Sequence, residues 1–355
     1  MKYFFILALH LSMTVPSIAE NSKPEDIVKG DQAEKIVDWV FKHPGKYVKT
    51  LGMYILKNDD VLVQKFNTDP KNLLPLWSIS KTISVILLGI LEAQGKVHRD
   101  SEVGQHIDFS TYKIPDLKIK KKVTFSHLAT MSSGIDWTET YDYSPFNSNV
   151  VRMLYFNNDD VTSYILSQPN KYPPGEYFYY SSGDTNLLSD GIGRELIQSQ
   201  FSRKFPWEFL FDPLKIKATF ETDKKGVYLG SSYVFMSIFD LAKIGKLILN
   251  KGRYGGKEFF KPEFYQYMVN GLNSSLKVNC NSKNMSYGAG VWLNKVCKRS
   301  GKTYLGINRE VIMLLGHYGQ SVFIIPDKKI IAIRLAEDRS KNFDRREYFQ
   351  MLLEL

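Results

Sequence analysis

The sequence predicts an α+β fold, with one antiparallel sheet flanked by helices and a mostly helical second region. Three observations lead there. Strand-like runs lie early, at 51–66, and late, at 286–336, so both ends of the chain complete one sheet. Helical periodicity recurs beside those strands. Between them, residues 101–225 alternate short helical pieces with loops rich in Pro, Asn, Ser and Tyr. Residues 20–100 and 226–355 are therefore expected to form the sheet region, and 101–225 the helical one packed beside it. At 355 residues, 43% hydrophobic and 24% charged, the chain can build one large or two modest cores.

The elements follow in order. MKYFFILALHLSMTVPSIA (1–19) carries Lys2, an apolar run from Tyr3 to Leu11, and small residues Ser17 and Ala19. That is the pattern of an export signal cleaved near Ala19, which makes the mature protein periplasmic or secreted. The apolar run is shorter than the ~20 residues of a spanning helix, which argues against an anchor. A polar tail leads into an amphipathic helix with Ile36, Val37, Val40 and Phe41 on one side. LGMYILK (51–57) and VLVQKF (61–66) flank NDD (58–60) and read as a hairpin. LWSISKTISVILLGILEAQG (76–95) reads as a helix opened by Ser78 and stopped at Gly95. YDYSPFNSN (141–149) and PNKYPPGE (169–176) typify the middle loops. A helix returns at SIFDLAKIGKLILNKG (237–252). SYGAGVWL (286–293), EVIMLLG (310–316), SVFIIP (321–326) and KIIAIRLA (329–336) read as strands, and FDRREYFQMLLEL (343–355) as a closing helix.

The formal charge is +10, and +9 without residues 1–19, which hold one lysine and no acid. The lysines are scattered and no nucleic-acid motif is present, so nucleic acid is not an expected partner. The one dense cluster, KIKKK (118–122), alternates like a strand or loop edge. It reads as a solvated face suited to an anionic cell-envelope surface. Cys280 and Cys297 bracket MSYGAGVWLN (285–294), as a disulfide clamping a hairpin or as two free thiols. Two cysteines and the histidines His43, His98, His106, His127 and His317 lack metal-binding spacing, so no metal or organic cofactor is expected.

Three stretches carry chemistry. Ser-x-x-Lys occurs at Ser78/Lys81, Ser110/Lys113 and Ser274/Lys277, but only the first opens a long apolar helix. Residues three apart share a helical face, so Ser78 and Lys81 can touch. Ser78 alone could be a helix cap. A cap does not explain Lys81, whose charge opposes the helix dipole and resists burial. A desolvated lysine loses its proton more readily, and a neutral amine beside a hydroxyl can make it a nucleophile. The second stretch is YPPGEYFYYSSGDTNLLSDGIGREL (172–196). There Tyr180 precedes a Ser-Ser-Gly turn and could deliver a phenol into a cleft, where a nearby ammonium would favour its ionised form. Glu176 and Asp184 read as turn and helix-cap residues. In LGHYGQSVFIIPDKKIIAIRLA (315–336), His317-Tyr318-Gly319 stands at the entrance to a strand pair.

In this order the three stretches resemble the serine β-lactamase and penicillin-binding protein superfamily. The resemblance is nearest its class C-like branch of esterases, D-amino-acid peptidases and 6-aminohexanoate-dimer hydrolases. SHLATMSSGIDW (126–137), PPGEYFYYSSGDTNLL (173–188) and GQSVFIIPDKK (319–329) add to it, and it runs from about residue 35 to the end. It implies a β-lactamase/transpeptidase-like fold with the active site between the two regions. It also implies Ser78 as acylated nucleophile, Lys81 as proton acceptor or relay, and Tyr180 as the partner that serves the leaving group. Ser182 falls on the asparagine of the family's Tyr-x-Asn motif. His317, Tyr318 and Gly319 fall on its Lys-Thr-Gly motif, and the strand residue Gln320 would give the second oxyanion-hole N–H.

Two departures bear on substrate. Ser182 replaces an asparagine that contacts a substrate's acylamino group. His317, with an ordinary pKa near ~6.5, replaces a lysine that attracts a carboxylate. Both favour a secreted hydrolase of small esters or amides over an efficient β-lactamase. A D,D-peptidase or β-lactamase acting on cell-wall peptides or β-lactams, and a non-catalytic penicillin-recognising sensor, remain the alternatives. The oligomeric state and the deacylating base have no signature.

Overall fold

A computed structural model describes residues 24–355 apart from 43, 44, 46, 142–144, 198–204 and 341. The export signal expected at 1–19 lies outside the described residues. Among the described residues no helix is long and apolar enough to cross a membrane.

The architecture is α+β. Strands β1 (Ile27–Val28), β2 (Thr50–Lys57), β3 (Asp60–Phe66), β4 (Ser286–Tyr287), β5 (Trp292–Leu293), β6 (Ile312–Leu315), β7 (Ser321–Ile325) and β8 (Ile330–Ala336) form one eight-stranded sheet. Its order is β1-β3-β2-β8-β7-β6-β5-β4. Each adjacent pair is antiparallel. Strand β2 pairs with β8 in the register Ile333↔Tyr54, so segments from opposite ends of the chain meet mid-sheet.

The sheet is covered on both faces, which is why its late strands read as unbroken apolar runs rather than as alternation. Ile331, Ile333, Val322 and Ile324 face one core. Ile330, Ala332, Phe323 and Ile325 face the other. The second core is closed by α1 (Asp31–Phe41) and the last helix (Arg345–Leu353), through Ile36, Val40, Tyr348 and Leu352. The first is closed by α2 (Ser80–Ala93), α3 (Ser182–Ile197) and α4 (Ile238–Leu249). Ser237 caps α4 by accepting the Asp240 N–H at 3.1 Å, and Asp344 caps the last helix.

Three expectations need correction. The run 286–293 is not one strand but the two-residue strands β4 and β5, separated by a turn at Gly288–Val291. A disulfide between Cys280 and Cys297 clamps this hairpin. KIKKK is not a strand edge: Leu117–Lys120 is a short helix. Its Lys120 is 1% exposed and donates to Pro115 O, Gln168 O and Asn170 Oδ1 at 3.0, 2.7 and 2.9 Å. Three oxygens stabilise this ammonium, so one lysine of the cluster turns inward while Leu117 and Ile119 stay exposed. Finally, Ser78 does not begin α2; it lies in a 3₁₀ turn, Trp77–Ile79, that precedes it.

Candidate active site

The turn that carries Ser78 is entered through Trp77 at φ 51°, a left-handed conformation costly for a bulky L-residue. Among the described residues no side chain caps this turn or α2, so Ser78 is not a helix cap. Its hydroxyl instead accepts from Lys81 Nζ at 3.1 Å. One turn on, in α2, Lys81 is 1% exposed. It also donates to Ser182 Oγ at 2.9 Å and to the Ser231 carbonyl at 2.8 Å.

Three acceptors satisfy three ammonium protons. A neutral amine would keep Ser182 and Ser231 and turn its lone pair to the Ser78 hydroxyl. Burial brings that state within reach. Desolvation lowers the Lys81 pKa to about 8, while the Glu139 carboxylate, 4.0 Å away, pulls it back up.

Glu139 is held firmly. Its Oε2 accepts from Trp137 Nε1 at 2.7 Å and from the Ser182 N–H at 2.9 Å, and Oε1 accepts the Ser182 hydroxyl at 2.5 Å. A polar chain therefore runs from Lys81 through Ser182 to Glu139. Ser182 starts α3, and Ser181 before it accepts the Asp184 N–H at 3.0 Å. Ser181, not Asp184, fills the capping role. Asp184 is buried and accepts the Ser133 hydroxyl at 2.7 Å, and desolvation raises its pKa to about 7. Glu176 pairs at the surface with Lys277 at 2.7 Å.

Tyr180 stands over the same group. Its ring stacks on Trp292 at 5.0 Å, and Lys81 Nζ lies 5.1 Å from its centroid. The phenol is pushed well above its ordinary pKa, first by desolvation and then by Glu139, against a lowering hydrogen bond with Ser78. The ionised form expected beside an ammonium is thus not favoured, because burial and a carboxylate outweigh the lysine.

The third stretch forms a short turn, His317–Gly319, between β6 and β7, with Tyr318 at φ 55°. Gly316 brings it to the nucleophile: a Cβ there would lie 2.4 Å from the Leu76 carbonyl, one residue before Trp77. His317 packs its ring on Trp77 at 5.8 Å and on Tyr141 at 4.8 Å. Gln320 precedes β7 rather than starting it. It is 2% exposed, accepts the Gly316 N–H at 2.9 Å, and its amide oxygen accepts the Ala336 N–H at 3.0 Å. Its side chain is thereby pinned inside the sheet.

The structure gathers Ser78, Lys81, Tyr180 and Ser182 into one contact group, and sets His317, Gly319 and Gln320 at its border. It leaves the other two Ser-x-x-Lys pairs on the surface. Ser110 hydrogen-bonds Asp108, and Lys277 bonds Glu176. Two members were not legible in the sequence. Glu139 follows SGIDWT, where only Trp137 is a local partner and neither Lys81 nor Ser182 is near in sequence, and Ser231 contributes only a backbone carbonyl, which has no side-chain signature. Among the described residues no cluster of His, Cys, Asp and Glu could hold a metal ion.

The model of the Beta-lactamase family matches residues 40–354. No curated protein matches the chain in sequence. Several solved structures share its fold. A protein described as a 6-aminohexanoate-dimer hydrolase from Bacillus anthracis is 15% identical, with TM-score 0.66 over 96% of this chain and 87% of that one. EstCE1, a hydrolase with promiscuous acyltransferase activity, is 12% identical, with TM-score 0.68 over 91% of this chain and 98% of that one. A penicillin-binding protein homologue from Caulobacter crescentus is 14% identical, with TM-score 0.64 over 91% and 97%. At these identities the likeness describes the fold alone.

Proposed function

The chain belongs to the Beta-lactamase family, whose superfamily consists generally of serine hydrolases acting on esters or amides, and on that premise we propose that it hydrolyses small esters or amides through an acyl-enzyme on Ser78. The observation that carries this reading is a buried Lys81 amine 3.1 Å from the Ser78 hydroxyl. The environments of Lys81 and Tyr180 push their pKa values apart, one down to about 8 and the other well up. That separation supports Lys81 as the base and Tyr180 as the acid. Neutral Lys81 takes the Ser78 proton as Oγ attacks the carbonyl carbon. The oxyanion forms opposite the backbone N–H groups of Ser78 and Gln320. Tyr180, a phenol at neutral pH, protonates the leaving group as the carbon–oxygen or carbon–nitrogen bond breaks. Lys81 passes the proton it took from Ser78 on to Tyr180, which resets both groups. Water then attacks the acyl carbon and gives its proton to Lys81, which returns it to Ser78 Oγ as the acyl–oxygen bond breaks. Glu139 balances the charge on Lys81 and, through Ser182, fixes its position.

A small ester or amide suits the site better than a β-lactam. His317 stands where a carboxylate-attracting lysine would, and its ring is packed between Trp77 and Tyr141. Arg334, a cation beside that turn, is engaged by Asp338 in two bonds of 2.8 and 2.9 Å. We further propose that the mature protein is exported, as the 1–19 pattern indicates, and meets its substrate in the cell envelope or beyond.

The test is intact-protein mass spectrometry of the chain with p-nitrophenyl acetate and, separately, a penicillin, with Ser78→Ala as control. Turnover of the ester with a transient adduct on Ser78, and no lasting penicillin adduct, is expected. A stable penicillin adduct would transfer the reading to a peptidase or a sensor. No Ser78-dependent chemistry with either reagent would overturn it.

A further inference from the structure

Large apolar side chains are exposed together next to the site. Phe146, Phe156 and Tyr155 are 72, 60 and 59% exposed. Tyr155 and Phe156 end a π-helical turn, Arg152–Phe156, a rare geometry that recurs at functional sites. Phe146 stacks on Phe156, with centroids 6.1 Å apart and planes at 22°. These rings are continuous with the nucleophile turn. Tyr155 lies beside Tyr233, where it adds to burial in raising that phenol's pKa, and Tyr233 packs at 6.3 Å on Trp77, the chain neighbour of Ser78. The one cation of the turn, Arg152, points elsewhere, onto the Tyr164 ring at 5.8 Å.

A contiguous exposed apolar patch needs a partner, and here its inner end is already in the site. We infer that the wall Trp77–Tyr233–Tyr155–Phe156–Phe146 is an acyl subsite, which takes the extended, uncharged apolar acyl chain of the ester or amide substrate. This rests on the acyl-enzyme reading above. The acyl side is favoured because the wall starts at Trp77, beside the oxygen that carries the acyl group. Tyr180, which serves the leaving group, is backed instead by Trp292 at 5.0 Å. Medium-length acyl chains gain by covering the Phe146–Phe156 pair, whereas acetyl is too short to reach it.

The experiment compares kcat/KM for p-nitrophenyl acetate and p-nitrophenyl octanoate, in the wild-type chain and in Phe146→Ser/Phe156→Ser. Both rings are exposed, and equal melting temperatures would establish that the variant folds. The octanoate-to-acetate ratio is expected to be about tenfold or more above unity, and to fall about tenfold in the variant, mainly through KM. A flat wild-type series, or a preference the variant retains, would overturn the subsite. So would chain-length dependence confined to the alcohol side in a series of acetate esters. If no ester is hydrolysed in a Ser78-dependent way, the acyl-enzyme reading fails on its own. Octanamide binding to Ser78→Ala, followed by tryptophan fluorescence, then decides the subsite separately. Saturable binding weakened about tenfold by the two serines upholds it, and no binding ends it.

Discussion

Lys81 concentrates the chemistry at the scale of single residues. Its amine is depressed by desolvation and partly restored by Glu139. The ammonium dominates below about pH 8 and the free amine above it. The kcat/KM of a neutral ester should therefore rise with pH through a midpoint near 8 and then level. Glu139→Gln removes the charge that raises the Lys81 pKa, so its midpoint should move to lower pH, alongside a loss of rate. An unmoved midpoint would mean that Lys81 is not the group being titrated. Ser78→Ala should abolish turnover yet keep stability within about 1–2 kcal/mol, because Ser78 caps no helix. Chemical denaturation of the variant checks this. Ser78 and Lys81 were legible because a lysine at the head of an apolar helix is costly to bury unless its amine is used there. Glu139 was not, because its meaning lies in partners 43 and 58 residues away in the chain, Ser182 and Lys81.

Individual elements depart from the one-dimensional pattern where a side chain finds distant oxygens. The 118–122 cluster reads as uniformly solvated, yet Lys120 is drawn in by two carbonyls and an amide oxygen. Lys120→Met would leave these acceptors without their donor, and should cost about 2–3 kcal/mol in urea unfolding. The hairpin of β4 and β5 is clamped by the Cys280–Cys297 bond, which spans a sequence separation of 17. Closing a loop of that size contributes about 3 kcal/mol in the chain-entropy estimate. Cys280→Ser/Cys297→Ser should lower the denaturation midpoint by a matching amount, and an unchanged midpoint would show that the hairpin holds without it. At the third stretch, Gly319 has φ 90°, and an added Cβ would lie 2.2 Å from Asp338 Oδ2. Gly319→Ala should displace the turn beside the nucleophile and reduce kcat/KM at least about tenfold, a loss equal to ~1.4 kcal/mol of transition-state stabilisation.

At the scale of the molecule, the buried Arg334–Asp338 pair ties the chain's two ends to the site. Arg334 is fully buried and donates to Asp338, to Thr50 Oγ1 at 2.9 Å and to the Gly319 carbonyl at 3.3 Å. Asp338 also accepts the Lys49 N–H at 3.0 Å. Asp338→Ala would strand a buried guanidinium, and should cost about 3–5 kcal/mol. Arg334→Leu/Asp338→Leu removes both charges together and should cost less. Thermal unfolding of the two variants checks that order. The resemblance to a known family, not a local pattern, joined Tyr180 to Ser78 and Lys81. The sequence by itself determined the α+β class, most strand and helix positions, and the Ser78–Lys81 pairing. These follow from hydrophobic period and from residue types in local register, which are properties of a few neighbouring residues. Only the tertiary structure decided that Glu139 and the Ser231 carbonyl complete the lysine's environment, that Tyr180 stays a phenol, and that an aromatic wall leads away from Trp77. Those depend on desolvation and on distances between segments far apart in the chain, which no local pattern encodes.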